Sequence, residues 1–299
     1  MKFIFKGYTL FILLVILTIV SLFIGVSQLS LLDIFHLNDE QMNILFSSRI
    51  PRTVSILLSG SSLALAGLIM QQMMQNKFVS PTTAGTMEWA KLGILISLLF
   101  FPNGHILIKL LFAVALSIIG TFIFVRLINL IRVKEVIFVP LLGIMIGGII
   151  SSFTTFIALR TNALQSIGNW LTGNFAIITS GRYEVLYLTI PLLILAFVFA
   201  NHFTIAGMGK DFSHNLGVSY EKIINIALFI TATLTALVVV TVGTLPFLGL
   251  IVPNIISIYR GDHLKNALPH TLMLGAIFVL IADIIGRIIV YPYELSLIH

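Results

Sequence analysis

The sequence contains no cysteine, and only 9% of its 299 residues are charged. The missing thiols exclude disulfides, thiolate zinc sites and cysteine nucleophiles. A soluble domain carries about 25% charged residues, so the scarcity of charge excludes an ordinary cytosolic enzyme, a nucleic-acid-binding protein and a disordered chain. Hydrophobic residues make up 58%, which indicates a helical protein that crosses a membrane several times. The net charge of +6 is then attributed to residues that anchor the chain at the cytoplasmic surface.

Motifs for catalytic chemistry are missing as well. There is no G-x-x-x-x-G-K-[ST] loop to hold ATP phosphates and no H-E-x-x-H zinc motif. The seven histidines are scattered, and no two of them are four residues apart. Nothing in the sequence supports a hydrolase arrangement of serine, histidine and aspartate. We therefore predict a protein that is not an enzyme, with no catalytic residues, no metal site and no cofactor.

Nine apolar runs predict membrane-spanning helices, which need about 20 residues each. The first, Tyr8–Val26, is interpreted as an uncleaved anchor and not a signal peptide, because it has 19 residues and no A-x-A site follows it. The uncharged run Ile223–Tyr259 contains two glycines and two prolines, so it predicts one full helix, a break and a shorter helix. The other runs are 52–77, 82–101, 106–131, 135–160, 184–208 and 266–291. The predicted fold is all-α, a polytopic membrane helix bundle that forms a single domain over residues 1–299.

Lysine and arginine set the predicted orientation. With a cytoplasmic N-terminus, 10 of the 17 basic residues fall on the cytoplasmic side, and the opposite orientation reverses this bias. We therefore predict a multi-pass protein of the cytoplasmic membrane. Its outer arginines would contact either an acidic extracellular partner or lipid headgroups. The cytoplasmic segment Asn201–Lys222 is long enough for two short helices that contact another protein.

Charged residues within the spans occur in pairs. Asp283 and Arg287 are four residues apart, and Glu88 and Lys91 are three apart, so each pair can neutralise itself on one helix. A proton-coupled carrier would need an unpaired carboxylate in mid-membrane, and a selective channel would need a filter motif; neither is evident. The pattern favours a transporter driven by a partner subunit over a stand-alone secondary carrier or exporter, or a non-transporting scaffold.

Six segments, in order along the chain, resemble the motifs of the FecCD family, the permease subunits of ABC importers for iron–siderophores, haem and cobalamin. The segments are Arg49–Thr53, Gln71–Pro81, Gly168–Gly173, Asn215–Val218, Gly243–Pro253 and Leu280–Arg287. Lys77 stands where the family often has proline, and Asn254 replaces a histidine. Ser80–Thr86 is similar to the branch that handles catecholate-type siderophores such as petrobactin.

The resemblance implies a type II ABC importer permease, a fold with ten spans. The implied partners are ABC ATPase subunits, a second permease subunit (identical or sister), an extracellular or periplasmic substrate-binding protein, a ferric siderophore and membrane lipid, with no nucleic acid. Haem or cobalamin stays an alternative substrate. The resemblance also implies that Arg49, Arg52 and Arg287 receive acidic residues of the binding protein. It implies that coupling to the ATPases uses Asp211, Asn215, Leu216, Gly217 and Val218.

The end of the chain departs from the family pattern, which continues Glu-Leu-Pro into a tenth span. Here Glu294-Leu295 is followed by Ser296, and the sequence stops at His299. We expect that the helix within 266–291 lacks a neighbour and that its Asp283–Arg287 pair faces lipid. A charge exposed to lipid costs at least about 2.5–3.5 kcal/mol, so low stability and weak activity are expected of the chain as written.

Overall fold

A computed structural model describes residues 6–24, 38–130, 135–261 and 263–289, and every regular element among them is helical. This confirms the predicted all-α class. In chain order the α-helices are α1 Gly7–Phe23, α2 Asp39–Ile44, α3 Ile50–Met73, α4 Thr86–Phe100, α5 Ile106–Leu130, α6 Phe138–Arg160, α7 Leu164–Leu171, α8 Thr189–Ala206, α9 Lys210–Asn215, α10 Tyr220–Thr241, α11 Leu248–Arg260 and α12 Leu264–Ile289. A π-helical turn at Leu45–Arg49 joins α2 to α3, and 3₁₀ turns lie at Phe175–Ile177 and Tyr183–Leu188.

Six helical stretches of the described chain are long and apolar enough to cross a membrane. They are Gln41–Met73, Ile106–Leu130, Phe138–Arg160, Tyr183–Ala206, Tyr220–Thr241 and Leu264–Ile289. Three shorter helices, α1, α4 and α11, have 17, 15 and 13 residues. They are roughly 20–25 Å long, less than the ~30 Å hydrocarbon core of a bilayer. These nine stretches match the nine predicted runs, and the predicted break in Ile223–Tyr259 falls between α10 and α11.

Helices α3 and α10 form the centre of the bundle. Most side chains of α3 are buried, and α10 has an unbroken buried run from Leu234 to Thr241. A helix that is apolar on all sides is typical of an element surrounded by other helices. Some hydroxyl groups in this interior bond to their own helix: Thr235 Oγ1 donates to the Thr231 carbonyl oxygen at 2.8 Å, and Ser59 Oγ donates to that of Ser55 at 2.6 Å. A hydroxyl group bonded in this way needs no acceptor from a neighbouring helix.

Helix α3 approaches two of its neighbours at glycines. A Cβ atom at Gly60 would lie 2.7 Å from the carbonyl oxygen of Gly275 in α12, and one at Gly275 would lie 2.5 Å from that of Gly60. A Cβ at Gly67 would lie 1.8 Å from the carbonyl oxygen of Gly249 in α11. The obstructing atoms belong to the backbone and cannot turn away. These helix crossings therefore need residues without a side chain.

The short helices α4 and α11 begin inside the bundle. Gly249, near the start of α11, lies against the carbonyl oxygen of Leu63, close to the middle of α3. The start of α4 lies against α6, since a Cβ at Gly147 would be 3.3 Å from the Cα of Gly85. Irregular backbone precedes both helices, and at this depth such backbone is tolerated where protein encloses it or where it lines a cavity.

Helices α5, α6 and α8 are at the periphery, with less than a third of their spans buried. Large apolar side chains face outward from them, and Leu111, Met145 and Val198 are each about two-thirds exposed. Such a surface is unfavourable in water and fits contact with lipid or with another membrane subunit. The chain is therefore a multi-pass membrane protein. The cytoplasmic location of its N-terminus stays a prediction.

Candidate functional site

The structure brings Arg52, Asp283 and Arg287 together at one end of the bundle. Arg52 lies in the first turn of α3, and Asp283 and Arg287 lie in the last two turns of α12. Arg52 donates from Nε and Nη2 to Asp283 Oδ1 at 3.1 and 2.8 Å, and Arg287 Nε donates to Asp283 Oδ2 at 2.9 Å. One carboxylate thus joins two guanidinium groups through charge-assisted hydrogen bonds, which are stronger than neutral ones.

The same cluster holds the C-terminal end of α1. Arg287 Nη1 donates to the carbonyl oxygens of Ser21 and Ile24 at 2.8 and 2.7 Å, and its Nη2 donates to Ser21 Oγ at 2.7 Å. Arg49 also donates to the carbonyl oxygen of Ile24. The last carbonyl groups of a helix lack partners within it and carry partial negative charge. The two arginines therefore stabilise the end of α1 and join it to α3 and α12.

The arginines of this cluster have little exposed surface. Arg49 and Arg287 are 7% and 4% exposed, and the Arg52 side chain is 11% exposed. The expectation that the Asp283–Arg287 pair faces lipid is wrong, because Arg52 and the end of α1 cover it. Residues 290–299, on which the prediction of a missing tenth span depends, lie outside the described residues. The docking role of the three arginines stays a prediction.

The segment predicted to contact the ATPases forms one short helix and a turn. Helix α9 ends at Asn215, Gly217 has a φ of +71°, and α10 begins at Tyr220. The expectation of two short helices is therefore wrong, because the start of α10 takes the place of the second one. The left-handed conformation at Gly217 would cost another residue type roughly 1–2 kcal/mol, so glycine suits this turn.

Apolar side chains are exposed along this coupling segment, residues 208–218. Met208, Phe212 and Leu216 are each about half exposed, and Asp211 and Asn215 are also exposed. Underneath, Ser213 is buried and its Oγ donates to the carbonyl oxygen of Gly209 at 2.8 Å. Val218 is half-buried and packs against the cluster around α8 and α10. The result is an anchored surface with unpartnered apolar side chains, a feature typical of protein contacts.

A cavity of about 370 Å³ lies where α4 and α11 begin, against α6. Its lining consists of Thr82, Thr83, Glu88, Ile144, Gly147, Gly148, Ser151 and Phe247. The predicted Glu88–Lys91 pair is present beside it, with Lys91 Nζ donating to Glu88 Oε1 at 2.7 Å. Local sequence patterns do not predict this cavity, because its walls come from segments far apart in the chain. The one sequence feature that indicates a polar site here is the pair of charges, Glu88 and Lys91, inside the apolar run 82–101.

Comparisons with known proteins identify a family, two related permeases and a shared fold. The model of the FecCD transport family matches residues 13–298. The chain is 55% identical to the petrobactin import system permease protein YclN of Bacillus subtilis, over 96% of this chain and 91% of the relative. It is 40% identical to the petrobactin import system permease protein FatD of Bacillus anthracis, over 95% of this chain and 83% of the relative. A solved structure of a metal-chelate type ABC transporter in an inward-facing conformation has the same fold, with a TM-score of 0.79 at 24% identity, covering 97% of this chain and 92% of the other.

Proposed function

The chain belongs to the FecCD transport family, and we propose that it is the permease subunit of an ABC importer that carries a ferric siderophore across the cytoplasmic membrane. The observation that carries this proposal is the 55% identity, over nearly the whole chain, to a petrobactin import permease. The substrate is accordingly a siderophore of the petrobactin type. The chain is not an enzyme: ATP hydrolysis takes place on partner subunits, and the sequence has no phosphate-binding loop of its own.

The ATPase subunits are proposed to bind the coupling segment, with Asp211, Asn215, Leu216, Gly217 and Val218 at the contact. The half-exposed apolar side chain of Leu216 supports this role, since such a side chain gains free energy when a partner covers it. The buried anchor at Ser213 supports it too, because a fixed segment transmits a push better than a loose one. The predicted cytoplasmic N-terminus would place this segment on the side where ATP is available.

The binding protein is proposed to dock at the opposite end of the bundle, at Arg49, Arg52 and Arg287. Arg52 has the most exposed side chain of the three, at 11%, and a carboxylate of the partner is proposed to bind its guanidinium group beside Asp283, which already accepts from Nε and Nη2. Arg49 and Arg287 are buried, so their proposed part is to hold α1 and α12 in place and to add positive potential. A second permease subunit, identical or a sister, is proposed to cover part of the outward apolar surface.

Iron uptake by living cells tests the proposal. Cells with this gene deleted, with or without a plasmid copy, would receive radioactive iron as ferric petrobactin, as ferric citrate or as haem. The copy is expected to restore uptake from petrobactin, and to fail when the P-loop lysine of the partner ATPase is replaced. Equal restoration with citrate or haem, or uptake without a working ATPase, would contradict the proposal.

A further inference from the structure

The cavity between α4, α6 and the start of α11 opens to the surface of the bundle, since Ile144, Gly148 and Phe247 in its lining are exposed, and it lies near the middle of α6. Gly147 is the tenth residue of α6, so it lies about 15 Å from the start of that helix, roughly half the thickness of a hydrocarbon core. Glu88 is in the first turn of α4, and Phe247 directly precedes α11. The two stretches of irregular backbone that enter the bundle therefore meet at this cavity.

Glu88 contributes an acceptor atom that has no partner. Its Oε1 accepts from Lys91, but its Oε2 is shielded from solvent and forms no hydrogen bond with any described residue. An unsatisfied buried acceptor is unfavourable, and a charged one more so. The Glu88 side chain as a whole is 23% exposed, so a rotation of its carboxylate would bring Oε2 to the cavity, where a ligand that donates an N–H or O–H group would remove this cost. The Glu88–Lys91 pair has no net charge, so it does not attract a free anion. Its unpaired atom is an acceptor, so it favours a ligand with a hydrogen-bond donor.

Phe247 contributes an aromatic wall. Its φ is +62°, a conformation that is rare for a bulky residue, and its side chain is more than half exposed. Backbone strain of this kind persists where the surrounding structure enforces it, and it is concentrated at functional sites. Here the amides of Leu250 and Ile251 both donate to the Phe247 carbonyl oxygen at 2.9 Å. These bonds hold the residue at the start of α11, beside the cavity.

The backbone of α6 keeps the cavity open. A Cβ atom added at Gly148 would meet nothing within 4 Å, whereas one at Gly147 would lie 3.5 Å from Glu88 Cγ. Thr82 and Ser151 add two hydroxyl-bearing residues to the lining. The cavity thus combines free space, an aromatic ring, an unpaired acceptor and hydroxyl groups, the combination expected of a site for a small molecule.

We propose that this cavity is a substrate-contact site on the transport path, and that it takes a siderophore with an ammonium or other N–H donor next to a flat ring. The donor binds Glu88 Oε2 and the ring lies against Phe247, whose face also attracts a protonated amine. This inference rests on the proposed function and adds the chemistry by which the permease selects among ferric siderophores.

The first test compares two synthetic ferric catecholate siderophores that differ in one group, a free secondary amine or its N-acetyl derivative. The wild-type importer is expected to favour the amine about tenfold at limiting concentration, the factor for one charge-assisted hydrogen bond. The double variant Glu88→Met/Lys91→Met removes both charges, so neither is left unpaired in the bundle, and it is expected to lose the preference. A double variant that keeps the preference, or a wild type that imports petrobactin without any preference, would overturn the inference.

The second test fills or reshapes the cavity. Gly148→Leu is expected to lower uptake of both siderophores about tenfold, while Ser152→Leu places the same side chain one turn further along α6, outside the lining, and is expected to leave uptake unchanged. Phe247→Gly removes the ring and also relieves the left-handed conformation, so a drop in uptake would come from the ring. Its control, Asn162→Gly, relieves a φ of +55° away from the cavity.

The outcomes distinguish a failure of the proposed function from a failure of the proposed contact site. A wild type that imports no ferric siderophore contradicts the proposed function. A wild type that imports petrobactin, with Gly148→Leu and Phe247→Gly behaving like their controls, contradicts the contact site alone. If the double variant does not accumulate in the membrane, the contact site is tested by comparing the uptake of Gly148→Leu with that of Ser152→Leu, and the uptake of Phe247→Gly with that of Asn162→Gly.

Discussion

Asp283 is the residue that joins Arg52 and Arg287 in the charged cluster. Its pairing with Arg287 follows from the four-residue spacing on α12 and was predicted from it. Its pairing with Arg52 joins residues that are 231 positions apart, and no local pattern reports such a contact. With two guanidinium groups on one carboxylate, the cluster is largely buried, and Arg52 keeps the most exposed side chain of the three arginines.

Substituting Asp283→Asn is expected to lower the free energy of unfolding by about 3–5 kcal/mol, the range for removing one partner of a buried ion pair. The reason is that Arg52 and Arg287 lose the charge they share. Thermal denaturation of the purified protein in detergent, followed by circular dichroism, measures the change.

The matched control for this substitution is Glu221→Gln. It breaks the Lys210–Glu221 pair, which is 3.4 Å long and exposed on both sides, and it is expected to cost less than about 1 kcal/mol. Equal decreases in the unfolding temperature of the two variants would show that burial does not make the ion pairs of Asp283 more stabilising than an exposed pair.

Among the elements, α3 packs against five other helices, α1, α8, α10, α11 and α12. It can do so because its glycines let neighbouring backbones come close. Its first turn also supplies Arg52 to the charged cluster. A change at one glycine crossing therefore tests the packing of the bundle.

Substituting Gly60→Ala is expected to destabilise the fold by about 1–3 kcal/mol, as overpacking does, since the new Cβ would meet the backbone of Gly275. The control Gly168→Ala adds the same methyl group where nothing lies within 4 Å, and there alanine is expected to favour the helix slightly. Thermal denaturation compares the two. If Gly60→Ala unfolds at the wild-type temperature, α3 and α12 do not pack as described.

The coupling segment is the second element that carries a prediction. Leu216→Glu places a charge at the proposed apolar contact, so ATPase association is expected to fall about tenfold or more, while the spans still insert. Co-purification of the ATPase with tagged permease measures this. The control Ile137→Glu alters another exposed apolar residue, just before α6, and is expected to have little effect. Unchanged co-purification and uptake in Leu216→Glu would exclude this segment as the contact.

At the scale of the whole molecule, the sequence predicted the features that depend on local composition, namely the spans, the break before α11 and the family. Nine apolar runs predicted the spans because the length of a membrane helix is set by the thickness of the bilayer. Gly243 and Pro246 predicted the break before α11 because both residues interrupt helices. Ordered motifs predicted the family, which the comparisons confirm.

Such patterns do not predict how the helices are arranged in the bundle. Apolar residues report that a face is buried or lies in lipid, but they do not report which helix covers it. For this reason the cover over Asp283 and Arg287 was missed, and so was the cavity between Glu88, Gly148 and Phe247. Both features are built from segments that meet only after the bundle has assembled.

The contact between Arg52 and Asp283 also sets an order of events during synthesis. Ribosomes add about 5–20 residues per second, and Asp283 follows Arg52 by 231 residues, so the guanidinium group is in place roughly 10–50 s before its carboxylate. Throughout that interval Arg49 can join the end of α1 to the start of α3, but both helices lack their contacts with α12. The insertion of α1 and α3 therefore precedes the completion of their packing.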